Sequence, residues 1–129
     1  MEVLKINGTS QNPTVLLDKA AGKFEFSGNS LPEDAVKFYA PIISWIEEYV
    51  TAPNVATLVH FKMQYYNSPS SKQIFQILKR FEALRASGFS VDVQWSYGED
   101  DVDIEHAGRD FSAQVKLPFK FVSYSDDDN

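Results

Sequence analysis

Residues 55–98 change their hydrophobic period twice, and few folds can accommodate that. In VATLVHFKMQYY (55–66), Val59, Phe61, Met63 and Tyr65 alternate with His60, Lys62 and Gln64, the period of two of a half-buried strand. Ile74, Ile77, Leu78, Phe81 and Leu84 then recur at helical spacing in SKQIFQILKRFEALRASG, and Gly88 supplies a C-terminal stop. FSVDVQWSY (89–97) returns to period two, with Val91, Val93, Trp95 and Tyr97 against Asp92, Gln94 and Ser96. A strand, a helix and a second strand in one sheet imply a parallel pair with a right-handed crossover. Strands covered on both faces read as unbroken apolar runs, and these alternate. The expected fold is therefore an α/β domain of two layers. Helices pack one face of the sheet, and His60, Lys62, Gln64, Asp92 and Gln94 decorate the other, partly open one.

The flanks fit the same plan. VLKIN and TVLLD are short strand candidates, and GKFEFSG is a clearer one, with Phe24 and Phe26 facing one side. Ser30 and Glu33 in SLPE form the S-x-x-E pattern of a capping box, which predicts a helix with Pro32 in its first turn. Val36, Tyr39, Ile43, Ile46 and Val50 make one helical stripe, and Phe38, Ile42, Trp45 and Tyr49 make a second beside it. Pro41 is expected to bend or split that helix. A weaker helix is predicted around 101–113, and LPFKFVSY closes the chain as a strand. Residues 1–125 read as a single domain, followed by an acidic tail at 126–129 expected to be disordered.

Composition removes several functions. The 129 residues are 43% hydrophobic and 14% aromatic, enough for a core without disulfides or metals. Cysteine is absent, which excludes thiolate chemistry and fits a cytoplasmic location. The net charge of −6 lacks the basic stripe that nucleic acid requires. No apolar run approaches a membrane span, and the N-terminus has no signal-peptide pattern. Asp101, Asp103 and Glu105 imitate the start of a calcium loop, but His106 stands where Gly is needed and Ser112 where a bidentate Glu belongs. Phosphate-binding glycine motifs are missing, as are the glycines of a nucleophile elbow around Ser68, Ser70 and Ser71. The chain thus reads as a non-enzyme, with no catalytic residue, metal or cofactor expected.

What remains is the turn YYNSPSSK (65–72) between the long strand and its helix. Asn67 or Ser68 is suited to cap the helix, with Pro69 at its first position. A hydroxyl there is necessarily near the surface and the positive end of the helix, where a phosphate is tolerated and adds close to two negative charges.

That turn resembles the Asn-Thr/Ser-Ser-Ser-Lys segment of the SiaC-type regulatory phosphoproteins. INGTSQNPTVLLD, GKFEFSGNSLPEDAVKFYAPIISWIEEYV and LPFKF are similar to other landmarks of that family in the same order, over nearly the whole chain. The resemblance implies a two-layer STAS-like α/β fold, a mixed β-sheet with helices mainly on one face, and a phospho-switch: a cognate kinase adds a phosphate at the head of the helix after the central strand, a PP2C-type phosphatase removes it, and the unphosphorylated form binds and activates a diguanylate cyclase in cyclic-di-GMP control of biofilm formation. The acceptor position falls on Ser68, with Ser70 or Ser71 as fallback. Tyr66, Asn67 and Lys72 would shape the surface read by kinase and partner. Pro69 stands where the family usually has Ser and removes one backbone N–H. Two other readings use the same residues. A constitutive protein-binding module of this fold would use the open sheet face around Lys62 and Gln64 without phosphorylation. A small metal-dependent enzyme would use the acidic loop and His106.

Overall fold

The computed structural model describes residues 1–125, so the predicted tail at 126–129 lies outside the described residues. Six strands form one sheet in chain order: β1 (Leu4–Ile6), β2 (Thr14–Asp18), β3 (Lys23–Ser30), β4 (Ala56–Tyr66), β5 (Ser90–Gly98) and β6 (Phe119–Tyr124). β1, β2 and β3 pair antiparallel, and β3 through β6 pair parallel. The parallel crossovers run through α1 (Ala35–Tyr49), α2 (Ser68–Ala86) and α3 (Val102–Gln114). Each crossover steps one strand in the same direction. Right-handed connections then place all three helices on one face.

The burial pattern agrees with that placement. Val15, Leu17, Phe24, Phe26, Val59, Phe61, Met63, Val91, Val93 and Trp95 are buried beneath Tyr39, Ile42, Ile46, Ile74, Ile77, Leu78 and Phe81 of the helices. On the opposite face Glu25 and Asp92 are exposed, and His60, Lys62 and Gln94 are half-buried. One covered and one partly open face is the arrangement the alternating periods imply, and the sheet is mixed, as the family resemblance implies.

Three local expectations are corrected. Ser30 does not cap α1; it is the last residue of β3 and fully buried. The cap is Asp34, whose carboxylate accepts the Lys37 N–H at 3.0 Å. A sequence pattern cannot distinguish a serine that ends a strand from one that starts a helix four residues later. Next, the two apolar stripes of α1 do not both face inward. Its buried face runs through Tyr39, Ile42, Trp45, Ile46 and Tyr49, drawn from both, while Val36 is 67% exposed. The helix, finally, is unbroken through Pro41. Both Pro41 and Lys37, whose carbonyl loses its helical donor, lie on the exposed side where water can take the bond.

The fourth difference bears on function. Gly28 pairs with Met63 but Asn29 pairs with Tyr65, so Gln64 is an extra residue in β4, a bulge. A one-residue slip flips everything beyond it. Tyr65 turns outward and is 52% exposed, whereas Tyr66 turns to the helix side against Trp95 and Phe111. The simple alternation had Tyr65 inward.

Candidate functional site

The bulge sets the approach to α2. After Tyr66, the Asn67 N–H donates to the Ser30 carbonyl (3.1 Å), which ties the end of β4 to the end of β3. Asn67 caps α2: its side-chain oxygen accepts the Ser70 N–H at 3.0 Å, and its carbonyl accepts the Ser71 N–H at 2.9 Å. Ser68 is consequently the first residue of the helix and Pro69 the second, one position later than the sequence reading placed it. Pro at this point costs nothing, because the first-turn N–H groups have no helical partner.

The three serines of the turn have different surroundings. Ser68 is exposed, and its hydroxyl makes no hydrogen bond among the described residues. Ser71 is half-buried. Ser70 is fully buried. The Ser30 hydroxyl donates to Ser70 Oγ at 2.8 Å, so the 2.7 Å contact between Ser30 Oγ and Tyr39 Oη must have the tyrosine as donor. This chain of buried hydroxyls links β3, α1 and the first turn of α2. Burial raises the Tyr39 phenol above its usual pKa, opposed by the bond to Ser30, which keeps it the neutral donor the chain needs. Sequence reasoning missed this network. Its only signal was Ser30, which fits a helix cap equally well.

The residues expected to meet a partner divide between two surfaces. Asn67, Ser68 and exposed Lys72 lie at the start of α2. Tyr66 lies behind them as a wedge, its ring centroid 6.5 Å from Trp95 and 6.2 Å from Phe111. Burial first, and Asp110 second, push its pKa upward, so it is a neutral packing group. Lys62 lies instead on the open sheet face, with its ammonium 4.5 Å from the centroid of the Tyr124 ring. Gln64, exposed at the bulge, borders a cleft with Gly98, Asp100, Asp103 and Tyr124. Also on the open face, His60 Nε2 lies 2.8 Å from Ser96 Oγ, with Gln94 alongside.

The acidic loop has a local role. Asp101 caps α3 by accepting the Ile104 N–H at 3.0 Å, and Glu105 pairs with Arg109 at 3.3 Å. Among the described residues no three metal-ligating side chains are grouped to hold an ion, and no helix is long and apolar enough to cross a membrane.

Comparison with known proteins bears on the whole chain. An uncharacterised protein of Pseudomonas aeruginosa (strain UCBPP-PA14) is 24% identical over 126 residues, 98% of this chain and all of the relative. The crystal structure of apo-SiaC from Pseudomonas aeruginosa is similar with a TM-score of 0.89 and 25% identity, covering 95% of this chain and 100% of that one. A structure of the diguanylate cyclase SiaD in complex with its activator SiaC, from the same organism, matches with a TM-score of 0.89 and 24% identity over 94% of this chain and 99% of that chain. These likenesses establish the fold: a six-stranded mixed sheet with three helices. The family model for the SiaC family regulatory phosphoproteins matches residues 6–124, and this chain belongs to that family.

Proposed function

We propose that this protein is a non-enzymatic switch whose output is binding, set by reversible phosphorylation of Ser68. The observation that carries this reading is the division of labour in the first turn of α2. Asn67 makes the cap, Ser70 is locked into the buried hydroxyl chain, and Ser68 is left exposed with no structural bond. A modifying enzyme can therefore reach the Ser68 hydroxyl, the most exposed of the three, without disturbing the fold. Ser70, the first fallback, would have to leave its buried partners to react. Ser71 is the more open of the two fallbacks.

The geometry also addresses Pro69. Of the first-turn donors, Pro69 has none, those of Ser70 and Ser71 are both taken by Asn67, and only the N–H of Ser68 itself is left among the described residues. A phosphate on Ser68 would be favoured by the helix dipole with at most its own residue's amide to bond it. It would keep its charge directed at solvent, readable by a partner and open to a phosphatase. A cognate kinase and a PP2C-type phosphatase would set the state of Ser68, and a diguanylate cyclase would be the regulated partner; the family's description as regulatory phosphoproteins and the complex of SiaC with the diguanylate cyclase SiaD support this reading.

The test is phosphopeptide mapping of protein from the native host, before and after PP2C-type phosphatase treatment. Cyclase binding is then measured for Ser68→Ala and Ser68→Asp. The reading predicts phosphate on Ser68, binding by the Ala variant and loss of binding by the Asp variant. A chain unmodified under several growth conditions, with both variants binding alike, would refute it and favour the constitutive module.

A further inference from the structure

Asn7 and Gly8 follow β1 at the edge of the sheet, and both are exposed. Asparagine is a chemically labile residue, and a following glycine makes it more so. The amide nitrogen of the next residue can attack the side-chain carbonyl, and glycine has no Cβ to shield that nitrogen. Packing requires the glycine: a Cβ on Gly8 would collide with Thr14 Oγ1 and stand 3.0 Å from the Thr14 nitrogen. The Asn7 amide makes no hydrogen bond among the described residues, so its side chain is free to turn.

One contact opposes the attack. The Gly8 N–H donates to Thr14 Oγ1 at 3.1 Å. The attacking form of the amide is the deprotonated one, and a hydrogen-bonded N–H yields its proton to solvent only when the structure around it opens. The loop beyond Gly8 is closed on itself: Thr9 Oγ1 accepts the N–H groups of Gln11 at 3.1 Å and Asn12 at 2.9 Å. β1, by contrast, is an edge strand held by three residue pairs to β2 alone, and such elements open first.

We propose that Asn7 is a site of spontaneous deamidation, held in check by the Gly8–Thr14 bond. A bond forms between the Gly8 nitrogen and Asn7 Cγ, the Cγ–Nδ2 bond breaks, and the proton given up by Gly8 leaves with Nδ2 as ammonia. Water then opens the cyclic imide. Cleavage on the Cγ side leaves aspartate; cleavage on the main-chain carbonyl side leaves isoaspartate, with an extra methylene in the backbone. Either product adds a negative charge, and isoaspartate also lengthens the link from β1 to β2. The position gives the change a consequence. The Gln11 carbonyl of the same loop accepts the Leu31 N–H at 2.8 Å, and the neighbouring Ser30 carbonyl accepts the Asn67 N–H at 3.1 Å. The loop is thus tied through the end of β3 to the cap of α2. An irreversible charge would enter at the pole of the domain that carries Ser68, whether or not Ser68 is itself modified.

The experiment incubates the purified full chain at mildly alkaline pH and follows aspartate and isoaspartate at Asn7 by peptide mapping and mass spectrometry. The native chain is compared with the chain unfolded in guanidinium chloride and with Thr14→Val and Thr14→Ser. Asn54, which precedes Val55, is the internal control. The native rate should be at least tenfold below the unfolded rate. Thr14→Val should react several-fold faster than the parent, and Thr14→Ser, which keeps the acceptor, at nearly the parent rate. Circular dichroism checks folding, and hydrogen exchange at the Gly8 amide of the parent supplies a reading that needs no variant: the amide should be protected. A native rate equal to the unfolded rate, an unprotected Gly8 amide, or a folded Thr14→Val protein no faster than the parent would overturn the gating. An Asn7 no more reactive than Asn54 in the unfolded chain would overturn the site. None of these results bears on phosphorylation of Ser68.

Discussion

Replacing Gly108 with alanine sets two effects of known size against each other. Gly108 lies inside α3, where alanine is ordinarily better by about 1 kcal/mol. Here a Cβ would sit 2.7 Å from Cε2 of Trp95, and closer still to Cδ1 and Nε1. One partner must move. Trp95 is fully buried, with Phe61, Tyr66, Phe111 and Phe119 around it at centroid distances of 5.5 to 6.5 Å. Its indole N–H donates to the Ile104 carbonyl at 2.9 Å. Overpacking of this kind costs about 1–3 kcal/mol, and a buried donor pulled from its acceptor about 1–3 more. After the propensity gain of about 1 kcal/mol, the net loss should be roughly 1–5 kcal/mol, centred on about 3. For a domain this size that lowers Tm by roughly 10 °C. Urea denaturation followed by Trp fluorescence gives the free energy, and a thermal scan by circular dichroism gives Tm. Because Trp95 touches Tyr66, the variant should also loosen the start of α2. A Gly108→Ala protein as stable as the parent, or more so, would show that α3 and β5 do not meet this closely.

The buried hydroxyl chain predicts an order of effects. Ser30→Ala strands the hydroxyls of both Tyr39 and Ser70 and should cost about 2–4 kcal/mol, whereas Ser70→Ala leaves Ser30 and Tyr39 paired and should cost about 1 kcal/mol. Equal losses in chemical denaturation would contradict the geometry. Asn67→Ala removes the α2 cap and should cost about 1 kcal/mol, while Ser68→Ala should be neutral within about 0.5 kcal/mol. A Ser68→Ala loss as large as that of Asn67→Ala would mean that Ser68, not Asn67, holds the helix start. His60 gives a pH dependence. Burial, helped by Lys62 and opposed by Glu25, holds its imidazole below the ordinary 6.5. Over that interval the unfolded chain binds more protons, so the His60 contribution is complete above pH 6.5 and is lost as pH falls through the folded value. Denaturation from pH 7.5 downward should show stability declining in the parent and less so in His60→Asn. Parallel profiles would remove the effect from His60.

Much of this architecture is legible in the chain because it depends on local period. The switch from two to 3.6 and back between residues 55 and 98 requires a parallel pair joined by a helix, and alternation on β4 and β5 requires one uncovered face. Solvent and neighbouring residues alone enforce those patterns. The turn before α2 is equally local, since Asn67, Ser68 and Pro69 suit a helix start through their own side chains. The errors arise where one residue suits two local roles and only distant partners choose between them. Ser30 fits a capping box, but its hydroxyl goes to Ser70, 40 positions away, and to Tyr39. Val36 continues an apolar stripe but lies beyond the edge of the core. The bulge at Gln64 has no signature in the alternation itself, because it exists only in the pairing of β4 with β3. That bulge points Tyr66 inward ahead of α2, where Ser68 is exposed, Ser71 half-buried and Ser70 buried. Sequence by itself determined which elements form and on which side they bury. The tertiary structure decided which hydroxyl is available, because availability depends on pairing register and buried hydrogen bonds between segments far apart in the chain.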